Sequence, residues 1–112
     1  MRIACSLGSL LSVEQVLECT KMVSETKIDS IWIPETWGME NFSMLGAVAN
    51  ITKIQKIGSS IINIYSRSPS TIAMGSATTD TLSDGRLILG LGTSSIPTVS
   101  YTHLTLPTNR EV

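Results

Sequence analysis

One carboxylate in this chain stands where a parallel α/β fold places its chemistry. Glu35 follows Trp32-Ile33-Pro34 at the end of a short apolar run, and polar side chains at the C-terminal ends of parallel strands face the site in such folds. A carboxylate there could serve as a general acid or base; its plain alternative is a solvated loop acid. Trp37, two residues on, could wall a flat ring or simply pack its own loop. Asn63 and Arg67 leave a third apolar run and could offer hydrogen bonds and charge to a ring edge or a phosphate. Their alternatives are a turn residue and a surface ion pair. Gly90-Leu91-Gly92-Thr93-Ser94-Ser95 follows a fourth run, where a glycine-rich turn can aim backbone N–H groups at a phosphate. The third glycine of G-x-G-x-x-G is missing, as is an acidic residue about 20 positions on. The segment reads instead as a tight turn at a strand mouth. Asp84-Gly85-Arg86 belongs to the opposite end, where features serve stability.

The elements that must position these groups repeat. Apolar runs at 2–7, 29–33, 56–62 and 86–91 start 27, 27 and 30 residues apart, with helical periodicity between them. Ser12 and Gln15 form a capping-box pattern. Beyond it Val13, Val16, Leu17, Thr20 and Val23 make one stripe, while Glu14, Glu18, Lys21 and Glu25 face out, Lys21 and Glu25 one turn apart. A second helix is expected after Asn41, through Met44, Leu45, Val48 and Ile51. A third opens with Ser68-Pro69 as N-cap and first turn and ends with Gly85 as the left-handed residue past its C-terminus. Strand and helix in alternation, with strands apolar on both faces, indicate βαβ units in a parallel sheet. A doubly wound open sheet and part of a (β/α)8 barrel both fit this rhythm.

Composition narrows the function classes. Hydrophobic residues make up 42% of the 112, which excludes a disordered chain, and charged residues only 15%, a low share for a free-standing surface. Eight basic against nine acidic residues leave no basic patch for nucleic acid. The N-terminal apolar run is broken by Ser6 and Gly8, and no stretch reaches the ~18 apolar residues of a membrane span. The cytoplasm is the expected location. Cys5 and Cys19 read as reduced thiols, with no metal-ligand cluster beside them.

Four segments in order resemble the bacterial luciferase-like oxidoreductases: Ser30-Ile31-Trp32-Ile33-Pro34-Glu35, then Lys56-Ile57-Gly58-Ser59-Ser60-Ile61-Ile62, then Tyr65-Ser66-Arg67-Ser68-Pro69-Ser70, and last the run from Ala77 to Thr93. That last run, with Asp80, Ser83, Gly85-Arg86 and Gly90-Leu91-Gly92, is the most specific. The nearest likeness is to the archaeal methylenetetrahydromethanopterin reductases. The resemblance implies an α/β fold, the N-terminal half (about four βα units) of a (β/α)8 TIM barrel, truncated. It implies hydride transfer between a deazaflavin coenzyme, F420, and a small organic substrate, or an FMN-dependent monooxygenase of the same family. It also implies a homodimer in the full-length protein.

At the site, the resemblance implies Glu35 as the catalytic group near ring and substrate, with Trp37 and Arg67 toward the substrate. A bulge in the third strand is implied, with a non-proline cis peptide at Ser60–Ile61 backing the ring and Asn63 beside the cofactor. The family often has histidine after the acidic residue and a Thr-Arg-His-Pro run; here Thr36 and Ser66-Arg67-Ser68-Pro69 stand there. Two other readings stay open: a half-barrel with exposed sheet edges and no catalysis as an isolated chain, and an unrelated barrel lyase or isomerase. Residues 1–98 are expected to form the partial barrel domain. Residues 99–112, which hold the single histidine, His103, resemble an adapter-derived tail that is not native.

Overall fold

A computed structural model describes residues 1–8, 10–35 and 39–93. The expected tail lies outside that range, as does Trp37. The elements run β1 (Ala4–Ser6), α1 (Val13–Ser24), β2 (Ser30–Ile33), α2 (Asn41–Ile51), β3 (Lys56–Ser59), β4 (Ile62–Asn63), α3 (Pro69–Leu82), β5 (Leu87–Ile88) and β6 (Leu91–Gly92). The third and fourth apolar runs are each divided in two, β3 with β4 and β5 with β6.

Among the described residues every strand pairing is parallel, and the order β1-β2-β3-β5 simply follows the chain, with β4 beside β6. This order decides between the two architectures that periodicity left open. A doubly wound sheet must reverse its order at a switch point. A sequential order with right-handed crossovers lays every helix on one face, as in a barrel wall. Alternate strand residues carry that face: Ile31, Ile33 and Ile57 meet Val16 and Val23 of α1 and Met44, Leu45 and Val48 of α2 in one buried cluster. Each such side chain contributes about 1.5–3 kcal/mol by leaving water.

The helix ends show how the sequence sets the boundaries. At α1 the Ser12 side chain accepts from Gln15 N–H at 3.2 Å and the Gln15 side chain returns to Ser12 N–H at 2.8 Å. Of the expected stripe, Val16, Thr20 and Val23 are buried, while Val13 is exposed. Glu25 is the C-cap, beyond the helical face where a partner for Lys21 was expected. At α2 the cap is Glu40, and Asn41 is already helical with its side chain buried. At α3 Ser68 caps and Pro69 follows, as expected. The other end differs: Asp84, not Gly85, takes the first left-handed position, with φ 58°, and Gly85 follows with φ 81°. Asp84 N–H donates to Thr81 O and Gly85 N–H to Asp80 O, the paired bonds of a Schellman motif. Asp tolerates the left-handed region better than most side chains, and the second position needs glycine.

Arg86 explains why its turn serves stability. Its guanidinium donates to Ala49 O, Thr52 O, Thr52 Oγ1, Gln55 O and Ser83 O at 2.6–3.1 Å. One side chain thus satisfies the open carbonyls at the end of α2 and ties them to the start of β5. Among the described residues no helix is long and apolar enough to cross a membrane.

Candidate functional site at the strand mouth

β2 stops because Pro34 has no N–H with which to continue the ladder. Its last carbonyl, Ile33 O, accepts from Ser60 N–H at 2.9 Å and from the Asn41 side-chain amide at 2.8 Å. Beyond that point the third strand no longer bonds to β2 backbone. Asn63 N–H donates instead to the Glu35 carboxylate, at 3.2 Å from Oε1.

The break is a bulge. On the fourth strand two residues separate Ile88 from Leu91, while on the third three separate their partners, Gly58 and Ile62. The extra residue lies in the Ser59–Ile61 stretch, and the Ser60–Ile61 peptide is cis, at the bond expected from the family resemblance. Ser59 Oγ donates to Gly90 O at 2.9 Å and accepts from Gly90 N–H at 2.8 Å, which bridges the gap in the ladder. Ile62 and Ile64 N–H groups then donate to Gly90 O and Gly92 O.

This changes the role of the glycine-rich segment. Its first part is not a turn: Leu91 and Gly92 are strand, and Ser94 and Ser95 lie outside the described residues. A Cβ on Gly90 would collide with the Ser59 carbonyl oxygen, and one on Gly92 would stand 2.7 Å from Ile61 Cδ1. The glycines let the fourth strand close on the bulge. A similar clearance holds deeper in the sheet, where a Cβ on Gly58 would meet the Trp32 ring at 2.5 Å.

Glu35, Asn63 and Arg67 come together beside the bulge. Arg67 Nη1 donates to Glu35 Oε1 at 2.7 Å, Nη2 donates to Glu35 Oε2, and Nη2 also reaches Glu40 Oε2. Glu35 Oε2 accepts from Asn41 N–H at 2.9 Å as well. The Glu35 carboxylate therefore accepts from a two-pronged guanidinium, from the first turn of α2 and from Asn63. The Glu35 and Arg67 side chains keep only 11% and 10% exposure, so the pair is largely desolvated and charge-assisted. The Phe42 ring lies 5.2 Å from the guanidinium carbon. The Glu35 hydrogen bond, opposed by burial and helped by Glu40, raises the Arg67 pKa above its ordinary value.

Glu40 was not singled out in the sequence. Its carboxylate caps α2, accepting from Phe42 N–H at 3.0 Å and from Ser43 N–H and Oγ at 2.8 and 2.6 Å. Burial pushes its carboxyl up, but the Ser43 hydroxyl, Arg67 and the two helix N–H groups outweigh that and hold it at about 2. An acidic residue just before an apolar helical stretch was the available signal. Asn41 was also missed as a site residue: it is fully buried, and its Oδ1 has no partner among the described residues.

Asn63 is buried, and its Oδ1 accepts from Tyr65 N–H at 2.8 Å. That leaves the NH2 half of the group open to a further hydrogen bond among the described residues. Ser60 is exposed and Ile61 half-buried at the same place. Among the described residues, no three His, Cys, Asp or Glu side chains are grouped to hold a metal.

Known proteins share this arrangement of elements. A Mycobacterium tuberculosis protein named as a coenzyme F420-dependent oxidoreductase is 34% identical over 77 residues, which is 69% of this chain and 22% of that protein. The structure of the coenzyme F420-dependent tetrahydromethanopterin reductase of Methanopyrus kandleri superposes with a TM-score of 0.80 at 26% identity, covering 89% of this chain and 29% of that one. The oxygenating constituent of 3,6-diketocamphane monooxygenase from Pseudomonas putida, in complex with FMN, gives a TM-score of 0.81 at 19% identity over 92% of this chain and 32% of that one, a likeness of fold. The chain thus spans between a fifth and a third of the length of these proteins. The profile of the luciferase-like monooxygenases matches residues 1–110, and the chain belongs to that family.

Proposed function

We propose that these residues form the first half of a (β/α)8 oxidoreductase that transfers hydride between coenzyme F420 and a small organic substrate. The observation that carries the reading is the convergence, at the C-terminal strand ends, of the 59–61 bulge, the Asn63 carboxamide and the Glu35–Arg67 pair. The F420 named for the M. tuberculosis and M. kandleri relatives supports the choice of coenzyme.

The residues present fit the flat part of such a group. Ile61 seated on Gly92 offers an apolar surface flush with the backbone, and Ser60 and the Asn63 NH2 offer hydrogen bonds at its edge. Among the described residues they supply no free cation for a phosphate, since Arg67 is engaged by Glu35 and Glu40; in barrels of this kind that site belongs to later strands. When bound, the deazaflavin supplies a ring carbon that gives or takes hydride. The chain's part is to lay the ring against the bulge, hold its edge through Asn63 and screen one side from water. An FMN-dependent monooxygenase is the second reading, favoured by the FMN in the P. putida structure. The isolated 112 residues, with open edges at β1 and β5, are proposed to lack activity alone.

The test is titration of the full-length protein with F420, followed by coenzyme fluorescence, beside the same titration with FMN. Tighter binding of F420 with substrate-dependent bleaching supports hydride transfer. FMN binding with oxygen uptake supports the second reading, and binding of neither sinks both. We also propose a homodimer for the full-length protein, on the family resemblance; a monomeric mass by light scattering contradicts it.

A further inference from the structure

We infer that Glu35 is a positioning residue whose carboxylate replaces the missing backbone of β2 and thereby fixes Asn63, and that Arg67 serves to hold that carboxylate in place. The family resemblance places both toward the substrate, and the inference goes beyond the proposed function by removing them from the chemistry. Three observations carry it.

The first is the position of the break. Up to Ile33 the third strand is held by β2 backbone, and the last such bond is Ser60 N–H to Ile33 O. Pro34 and the bulge end the ladder on both strands at once. The next inward N–H, that of Asn63, would be open without Glu35 Oε1. A buried N–H is seldom left unpaired, and this one is satisfied by a side chain just past the end of the neighbouring strand, 28 residues away.

The second is saturation. Oε1 accepts from Asn63 and Arg67, and Oε2 from Asn41 and Arg67. Two oxygens of a carboxylate offer about four acceptor positions, and four donors occupy them. A general acid or base needs one of those positions for the proton it moves. The third is the state of Arg67. Its two terminal nitrogens meet Glu35, Glu40 and the Ser66 hydroxyl, and its side chain is nine-tenths buried. A guanidinium so placed orients a carboxylate and has no open fork for a ligand.

The experiment uses the full-length protein and amide hydrogen exchange resolved to single residues over 60–66. The variant is the double replacement Glu35→Met with Arg67→Met, which removes both charges together and avoids an unpaired buried ion. The expected result is exchange at Asn63 about 10–100-fold faster than in the parent, the loss of one charge-assisted hydrogen bond. Exchange at Ile62 and Ile64, whose N–H groups bond to Gly90 O and Gly92 O, stays unchanged. An Asn63 rate that is unchanged, or that rises only together with Ile62 and Ile64, overturns the inference.

A second arm rests on the proposed function and uses Glu35→Gln with F420 as probe. Positioning predicts weaker coenzyme binding and a pH–rate profile that keeps both limbs. Loss of one limb with coenzyme binding unchanged makes Glu35 the acid or base and overturns the inference. Failure of the parent to bind F420 sinks the proposed function, and the exchange result at Asn63 then decides the inference alone.

Discussion

The two ends of this half-barrel each depend on one arginine, and the two are used in opposite ways. At the base, among the described residues, Arg86 meets five neutral oxygens and no carboxylate. Burial there lowers its pKa, with only a partial return from the charge of Asp84. At the mouth, Arg67 meets two carboxylates, and its pKa is raised. The base is held by geometry: a fork of donors aimed at the open end of α2, with the helix dipole adding to the attraction. The mouth is held by opposite charges, which can be screened, protonated or exchanged. A fixed base under a charge-held rim suits a barrel whose chemistry sits on one face.

This contrast can be broken most severely at the base. Arg86→Met leaves the carbonyls of Ala49, Thr52, Gln55 and Ser83 without that donor. The expected loss is about 3 kcal/mol of unfolding free energy, from several buried acceptors left open. Arg86→Lys should recover less than half of it, since a point charge cannot reproduce the fork. Urea unfolding of the full-length protein measures both, and a loss below about 1 kcal/mol for the methionine variant removes the distinction between the two ends.

Glu35→Ala should come next, at about 2 kcal/mol from buried donors left unsatisfied. Arg67 would keep Glu40, but the N–H groups of Asn41 and Asn63 would lose their acceptor. The same urea series checks the order; a Glu35→Ala loss above that of Arg86→Met reverses it.

The smallest effect separates the ends by pH. The Glu40 carboxyl falls from 4.5 to about 2 on folding. A depressed carboxylate contributes stability that is present above its unfolded pKa and lost as pH falls through its folded one. The mouth should therefore weaken between about pH 4.5 and 2, by no more than about 1 kcal/mol because the side chain is half-exposed and screened. Glu40→Gln should flatten that part of the stability–pH curve, and Arg86→Met should leave its slope alone. An unchanged slope in the Glu40 variant means that Glu40 does not help to hold the rim by charge.

How much of this was legible follows from the range of each interaction. The strands of the four apolar runs, the three helices between them, the Ser12 capping box and the Ser68-Pro69 start depend on neighbours within a few residues, and each is present; a helix after the fourth run lies outside the described residues. The bulge and the cis bond at Ser60–Ile61 came from resemblance, since nothing in local propensity marks them. That Glu35, Asn63 and Arg67 share one end followed from their places after strands. That Glu35 and Arg67 grip each other did not, because the pairing joins side chains 32 positions apart. The glycines at 90 and 92 look like a turn by composition, and only the approach of Ser59 and Ile61 gives their reason. Asp84 took the place expected of Gly85 because two successive left-handed residues were needed, and spacing suggests only one.

The extra residue of the third strand also sets a rule for how this sequence can change over time. A bulge sets two residues against one, so the length of the stretch decides whether the bulge exists. Deleting one residue between Ser59 and Ile61 would bring the strand back into step with its neighbour, Ile62 still opposite Leu91, and leave no bulge for Gly90 and Gly92 to close on. Descendants of this chain can therefore vary the residues of that short stretch one at a time, but they inherit its length as a fixed quantity.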